Sequence, residues 1–233
     1  MSEHISKSFD QELDKQRRLV AEMGGLTERM LTDATIALLR EDTKRAQSVI
    51  AMDPKIDDLQ RSIEDNAVLM LMRRQPFAND LREVMASIRI ANDLERIGDL
   101  AKNVAKRALK VQGHLQGGKA MNGVEALSRL AQAQLKDVLD AYAQSDEQSA
   151  VDVWMRDGQI DALENSLFRE LLTYMMEDPR NITFCTHLLF CAKNIERLGD
   201  HTTNIAETVH YLVTGRNLPN DRPKGESPAE SAA

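Results

Sequence analysis

Apolar residues recur at three- and four-residue intervals along most of the chain, and those intervals define six helices. The first set, Phe9, Leu13, Val20, Met23, Met30, Ala34 and Ala37, marks one face of a long amphipathic helix with a soft point at Gly24 and Gly25. A second stretch starts near Glu41 and Asp42. Asp53-Pro54 resembles a cap followed by proline in the first helical turn, which predicts a local break before Ile56, Leu59, Ile63, Ala67 and Met70 carry the helix on to Gln75-Pro76. Asn79 or Asp80 is placed to cap a third helix that runs to about Val111.

Gly113, Gly117 and Gly118 then punctuate the midpoint, and the same plan returns. Leu127, Ala131, Leu135, Val138 and Tyr142 form a fourth helix; Val151, Ile160, Leu163, Leu167 and Leu171 form a fifth that ends at Asp178-Pro179; a sixth spans about Ile182–Val213. Long helices with short connections pack as antiparallel bundles. The expectation is an all-α protein of six long helices in two tandem three-helix bundles related by an internal repeat. Residues 1–112 form the first, 113–118 a hinge and 119–215 the second, with a tail at 216–233 too poor in apolar residues to fold.

The repeat is most explicit in two segments, Asn92–Asn103 (N-D-L-E-R-I-G-D-L-A-K-N) and Lys193–Asn204 (K-N-I-E-R-L-G-D-H-T-T-N). Glu, Arg, Gly, Asp and Asn recur 101 positions apart. Glu95 and Asp99 stand one turn apart on a helix, and Val84, Ile88 and Ala91 fall close to Glu95 on the wheel; Cys185, Leu189 and Ala192 frame Glu196 in the same way. Each acid therefore lies inside an apolar stripe, where losing hydration costs several kcal/mol unless a cation or donors compensate. Paired carboxylates also repel each other. A solvated face with Arg96 or Arg197 pairing locally is the ordinary alternative for such a string. Duplication in register, with Gly98 and Gly199 at matched sites despite the cost of mid-helix glycine, favours metal ligation by Glu95, Asp99, Glu196 and Asp200.

Oxygen ligands suit a divalent or trivalent ion such as Mg, Mn or Fe better than Zn. Further ligands would come from Asn103, Asn204, Asp57, Asp161 or water. The histidines are scattered and form no H-E-x-x-H signature, and a di-iron Glu-x-x-His motif is missing because Gly98 and Gly199 occupy the third position after each Glu. Neither a Gly-rich phosphate cradle nor a nucleophile beside a base is present, so no catalytic residue is assigned.

These strings resemble the two signature motifs of the PhoU family, and the resemblance spans about Phe9 to Val213, including P-F-A-N-D-L-R at Pro76–Arg82. The second copy departs from that segment, with Asn181 and Thr183 where the first has Asp80 and Arg82. The resemblance implies two related three-helix bundles with metal-binding E-x-x-x-D motifs. It further implies a cytoplasmic negative regulator of phosphate uptake and phosphate-starvation signalling. Such a protein is a homodimeric adaptor, not an enzyme, between the ATPase subunit of the phosphate transporter and a sensor histidine kinase. The competing class is a carboxylate-metal enzyme, a phosphohydrolase or oxidase.

Composition narrows the field. Aromatic residues make up 4% and methionine is abundant at 11 residues, which fits a helical interior of flexible aliphatic side chains. A net charge of −7 argues against a general nucleic-acid binder. Cys185 and Cys191 have neither zinc nor redox spacing, and suit buried thiols in a reducing compartment. The N-terminus has no apolar leader and no run reaches membrane-span length, so any membrane role is expected to come through a partner.

Overall fold

The structure, a computed structural model, describes residues 2–111 and 118–219, with the side chains of 2–8 and 118–119 excepted. Seven α-helices follow in order: α1 (Ser2–Arg40), α2 (Thr43–Arg74), α3 (Ala78–Ala108), α4 (Gly118–Gln144), α5 (Glu147–Met155), α6 (Asp157–Glu177) and α7 (Ile182–Thr214), with a 3₁₀ turn at Pro179–Asn181 before the last. The bundle α1–α2–α3 is repeated by α4, the broken pair α5–α6, and α7. Among the described residues no helix is long and apolar enough to cross a membrane.

Three expectations change in detail. The break at Asp53-Pro54 does not occur, because α2 runs unbroken through Pro54. The interruption lies instead in the other half, where the expected fifth helix divides at Arg156 (φ −92°, ψ 1°) into α5 and α6. There the Arg156 carbonyl accepts from Gln134 Nε2 at 3.0 Å in addition to the Gln159 backbone N–H at 3.0 Å, so a side chain of α4 holds the break. The third helix starts at Ala78, and its N-cap position is Phe77 rather than Asn79 or Asp80. Of the expected hinge, residues 113–117 lie outside the described residues, while Gly118 already belongs to α4. Of the expected tail, residues 220–233 also lie outside them, whereas Leu218 packs against the core.

The first turn of each half is built alike. Glu41 (φ 51°) and Ser145 (φ 52°) take the left-handed conformation that ends a helix. The next residues, Asp42 and Asp146, cap α2 and α5 by accepting from the Arg45 and Ser149 backbone N–H groups at 3.0 and 3.2 Å.

The halves are not separate bodies. α3 packs along α7 and α1 against α4, and a continuous apolar core runs from Val20 in α1 to Val209 in α7. α3 and α7 are antiparallel, since Arg89 meets Tyr211 at one end of their seam and Arg107 meets Phe190 at the other. Gly24 permits the close approach of α1 to α4, because a β-carbon there would stand 2.9 Å from Leu139 Cδ2.

The motif glycines face matched isoleucines, Gly98 against Ile56 and Gly199 against Ile160, but at different clearances. A β-carbon at 98 would lie 3.5 Å from Ile56, whereas one at 199 would lie 2.7 Å from Ile160 Cδ1. Gly98→Ala is therefore expected to gain about 1 kcal/mol of helix propensity. Gly199→Ala loses much of that gain to displacement of Ile160. Paired urea melts should place the first variant above the second; identical shifts would show that the clearances do not matter.

Candidate functional site

The glutamates of both motifs lie against neighbouring helices, their side chains only 16% (Glu95) and 13% (Glu196) exposed, whereas Asp99 is 35% exposed. The core-facing stripe of α3, Ile90, Ala91, Leu94, Ile97 and Ala101, fixes the rotation that brings Glu95 and Asp99 alongside α2. In α7 the stripe Leu188, Cys191, Ala192, Ile195 and Leu198 turns Glu196 toward α6. Burial raises the pKa of the Glu95 carboxyl above the usual range, and the negative charges of Asp99, Asp57 and Asp53 raise it further, against Arg96.

An ammonium group compensates Asp99 of the first pair. Lys102 Nζ donates to Asp53 Oδ2 at 2.7 Å and to Asp99 Oδ1 at 2.5 Å, so one cation bridges α2 and α3. Burial opposes the charge on Lys102, but the two carboxylate hydrogen bonds outweigh it and hold its pKa above the ordinary value. Arg96 adds looser contacts, 3.4 Å to Glu95 and 3.9 Å to Asp99.

The second half keeps the acids and moves the cation. Thr203 occupies the place of Lys102 and Asp157 that of Asp53, and the threonine hydroxyl donates to buried Asp157 at 2.8 Å. The countercharge comes from Lys193, whose Nζ lies 2.8 Å from Glu196 Oε1; the other oxygen, Oε2, is buried without a hydrogen-bond partner. Nearby Glu164 has its pKa raised by burial, with Glu196 and Asp161 adding to the rise and Lys193 opposing it.

Among the described residues no three acids, histidines or cysteines stand close enough together to form a ready-made metal centre. The ligand candidates divide accordingly. Asp57 and Asp161 sit near the acidic pairs, where their charges act on Glu95 and Glu164. Asn204 is instead at the α3–α7 seam, donating to Asp93 at 3.3 Å, and Asn103 lines a surface pocket beside Lys106 and Asn194. His201 joins Asp93 at 2.9 Å across the same seam.

Sequence inspection missed Asp53, Lys102, Asp157 and Thr203. A second repeat would have found them: Asp53, Ile56, Asp57 and Leu59 return 104 positions later as Asp157, Ile160, Asp161 and Leu163. Both cysteines are buried and free; burial pushes the Cys191 thiol up to about 12. Trp154 is buried in the core, with its indole N–H directed at Glu207 Oε1 (3.3 Å).

Fold and site together define a class, the duplicated three-helix proteins that carry one acidic E-x-x-x-D helix in each half. The PhoU domain matches residues 20–108 and 124–209, so that both copies are covered, and the chain belongs to the PhoU family. It is 55% identical over 223 residues to a phosphate-specific transport system accessory protein PhoU homolog of Rhizobium meliloti, covering 96% of this chain and 94% of the relative. A homolog of the same name in Caulobacter vibrioides is 48% identical, with 96% and 97% covered. The crystal structure of PhoU from Pseudomonas aeruginosa superposes with a TM-score of 0.86 at 38% identity, covering 89% of this chain and 100% of that one. The phosphate transport system regulatory protein PhoU from Streptococcus pneumoniae gives 0.83 at 28% identity, covering 91% and 99%.

Lys102→Met should expose how much the bridging ammonium matters. Leaving Asp53 and Asp99 to face each other is expected to cost about 2 kcal/mol in denaturant unfolding. Thr203→Val, which removes one hydrogen bond to a buried carboxylate, is expected to cost about 1 kcal/mol. A Lys102→Met protein as stable as the parent would mean that water neutralises the cluster unaided.

Proposed function

We propose that this chain is an accessory protein of a phosphate-specific transport system that restrains phosphate uptake and phosphate-starvation signalling. It acts without turnover, as a cytoplasmic, dimeric adaptor between the transporter's ATPase subunit and a sensor histidine kinase. The observation that carries the adaptor role is a duplicated pair of exposed apolar tips. Val68, Met72 and Leu81 at one tip correspond to Leu172, Met176 and Ile182 at the other, and Met72 and Met176 are 72% and 85% exposed. Phe77, 83% exposed, enlarges the first tip. Because α3 and α7 are antiparallel, the tips lie at opposite ends of their seam, about 45 Å apart at 1.5 Å per residue. Solvent-facing apolar groups in such clusters mark protein-binding surfaces, and a molecule with one at each end suits two partners at once.

Cation binding by Glu95, Asp99, Glu196 and Asp200 belongs to the same proposal, and the two halves fit it unequally. In the second, the buried Oε2 of Glu196 is an open acceptor among acids, so Glu196 and Asp200, with Asp161 and Glu164 close by, would hold an ion such as Mg, Mn or Fe. In the first, an ion would have to displace Lys102. When bound, the ion supplies neutralisation of buried charge, which couples occupancy to stability and to the surface offered to a partner.

Pull-down of each purified partner tests the adaptor. Met72→Glu/Phe77→Glu and Met176→Glu/Ile182→Glu are each expected to lose one partner and keep the other, while deletion in the host raises starvation-reporter output in rich phosphate. Retention of both partners by both variants, or an unchanged reporter, would defeat it. For the metal, thermal shift with added Mn should raise the melting temperature of the parent and not that of Glu196→Gln. An equal shift in both would move the ion elsewhere.

A further inference from the structure

The seam between α3 and α7 offers an internal comparison, because residues 101 apart occupy matched places at its two ends. At one end Asp93 receives His201 (2.9 Å) and Asn204 (3.3 Å), Glu207 receives the Trp154 indole, and Arg89 sits 5.7 Å from the Tyr211 ring centroid. At the other end the counterparts of Asp93, Glu207 and Tyr211 are Asn194, Lys106 and Lys110, and that of Thr208 is Arg107. Both carboxylates have gone and three cations have arrived.

Those residues do not pack into each other. With Asn103 and Phe190 they line a cavity of about 330 Å³ that no carboxylate enters, in a chain of net charge −7. Arg107 is fixed in place, its guanidinium 4.1 Å from the Phe190 centroid and 3.2 Å from His187 Nδ1. Asn194 donates one amide hydrogen to the Phe190 carbonyl at 2.6 Å, which orients its side chain. Lys106 and Lys110 are exposed and make no ion pair among the described residues.

We propose that this cavity is an oxyanion site for a soluble compound carrying two linked phosphoryl groups. Lysine and arginine cations with amide donors, and no competing acid, are the chemistry that binds phosphate oxygens. Lys106 and Arg107 lie in the last turn of α3 and Lys110 in the turn just beyond its end at Ala108, where the Lys110 backbone N–H donates to the Arg107 carbonyl at 2.8 Å. Three cations spread over the end of the helix and the turn after it suit linked phosphoryl groups better than one tetrahedral ion. The site goes beyond the adaptor role and stands whether or not the apolar tips dock partners.

Calorimetric titration of the full chain with inorganic pyrophosphate, and in parallel with orthophosphate and sulfate, tests it. Pyrophosphate is expected to bind most tightly, with affinity falling at least tenfold in Lys106→Gln/Lys110→Gln. Lys15→Gln/Lys136→Gln, which removes the same charge elsewhere, should bind as the parent does, and helical circular dichroism should confirm that both variants are folded. Absence of binding to the parent, equal loss in the two double variants, or sulfate competing as well as pyrophosphate would overturn the proposal. Orthophosphate binding as tightly as pyrophosphate would overturn its two-phosphoryl form.

Discussion

The structure depends on how carboxylates placed in apolar helix stripes are neutralised. Glu95 and Glu196 occupy core-side positions of the two central helices, so each bundle can close only if something nearby answers their charge. In the first half Arg96 stands beside Glu95, and the cation on Asp99 one turn further along ties three features together. Lys102 reaches across to Asp53, α2 must lie alongside α3 for it to do so, and Gly98 lets Ile56 settle against the helix one turn away. Removing the Lys102 bridge loosens that joint.

The seam of α3 on α7 is the second constraint. A two-bundle chain with a flexible middle could bury each core separately, but here a continuous core passes from one half to the other. Exposure of methionine follows from this arrangement. Met23 and Met30 fill the interior, while Met72, Met155 and Met176 face solvent. The unbranched side chain adapts both to an irregular core and to a contact surface.

Much of this was legible in the chain. The alternation of apolar residues located six helical arms, and Glu, Gly and Asp repeated at one spacing located both acidic sites. What escaped notice depends on distance in sequence. Asp99 and Lys102 are neighbours on one helix and could have been paired on sight, but Asp53, the other partner, is 49 residues from Lys102 and becomes visible only when α2 folds back. The break at Arg156 was hidden for a different reason. Proline is the familiar helix breaker, yet beside supporting neighbours it is tolerated, and α2 runs through Pro54 while the matched proline-free segment 147–177 breaks at Arg156, whose carbonyl accepts from Gln134. Asn103 and Asn204 looked like continuations of the acidic rows, but each further turn of an α-helix rotates residues four apart by about 40°, which carries both toward the seam.

The halves therefore share a scaffold and differ in where the cation enters. In the first, Lys102 enters seven residues after Glu95 and seals the joint between α2 and α3. Its place in the second is taken by a threonine that can only donate a hydrogen bond. Lys193 enters three residues before Glu196 and is 57% exposed, so it covers one carboxylate oxygen and leaves the other bare. The matched pair on the flank changes with it: Gln60 and Asn92 exchange a neutral hydrogen bond at 2.6 Å where the second half has the charged residues Glu164 and Lys193. Charge ties Asp99 to α2 in the first site, whereas in the second the more exposed Lys193 holds one oxygen of Glu196. Duplication preserved the helices, and the substitutions at these few positions moved the cation from the α2–α3 joint in one half to the exposed flank of Glu196 in the other.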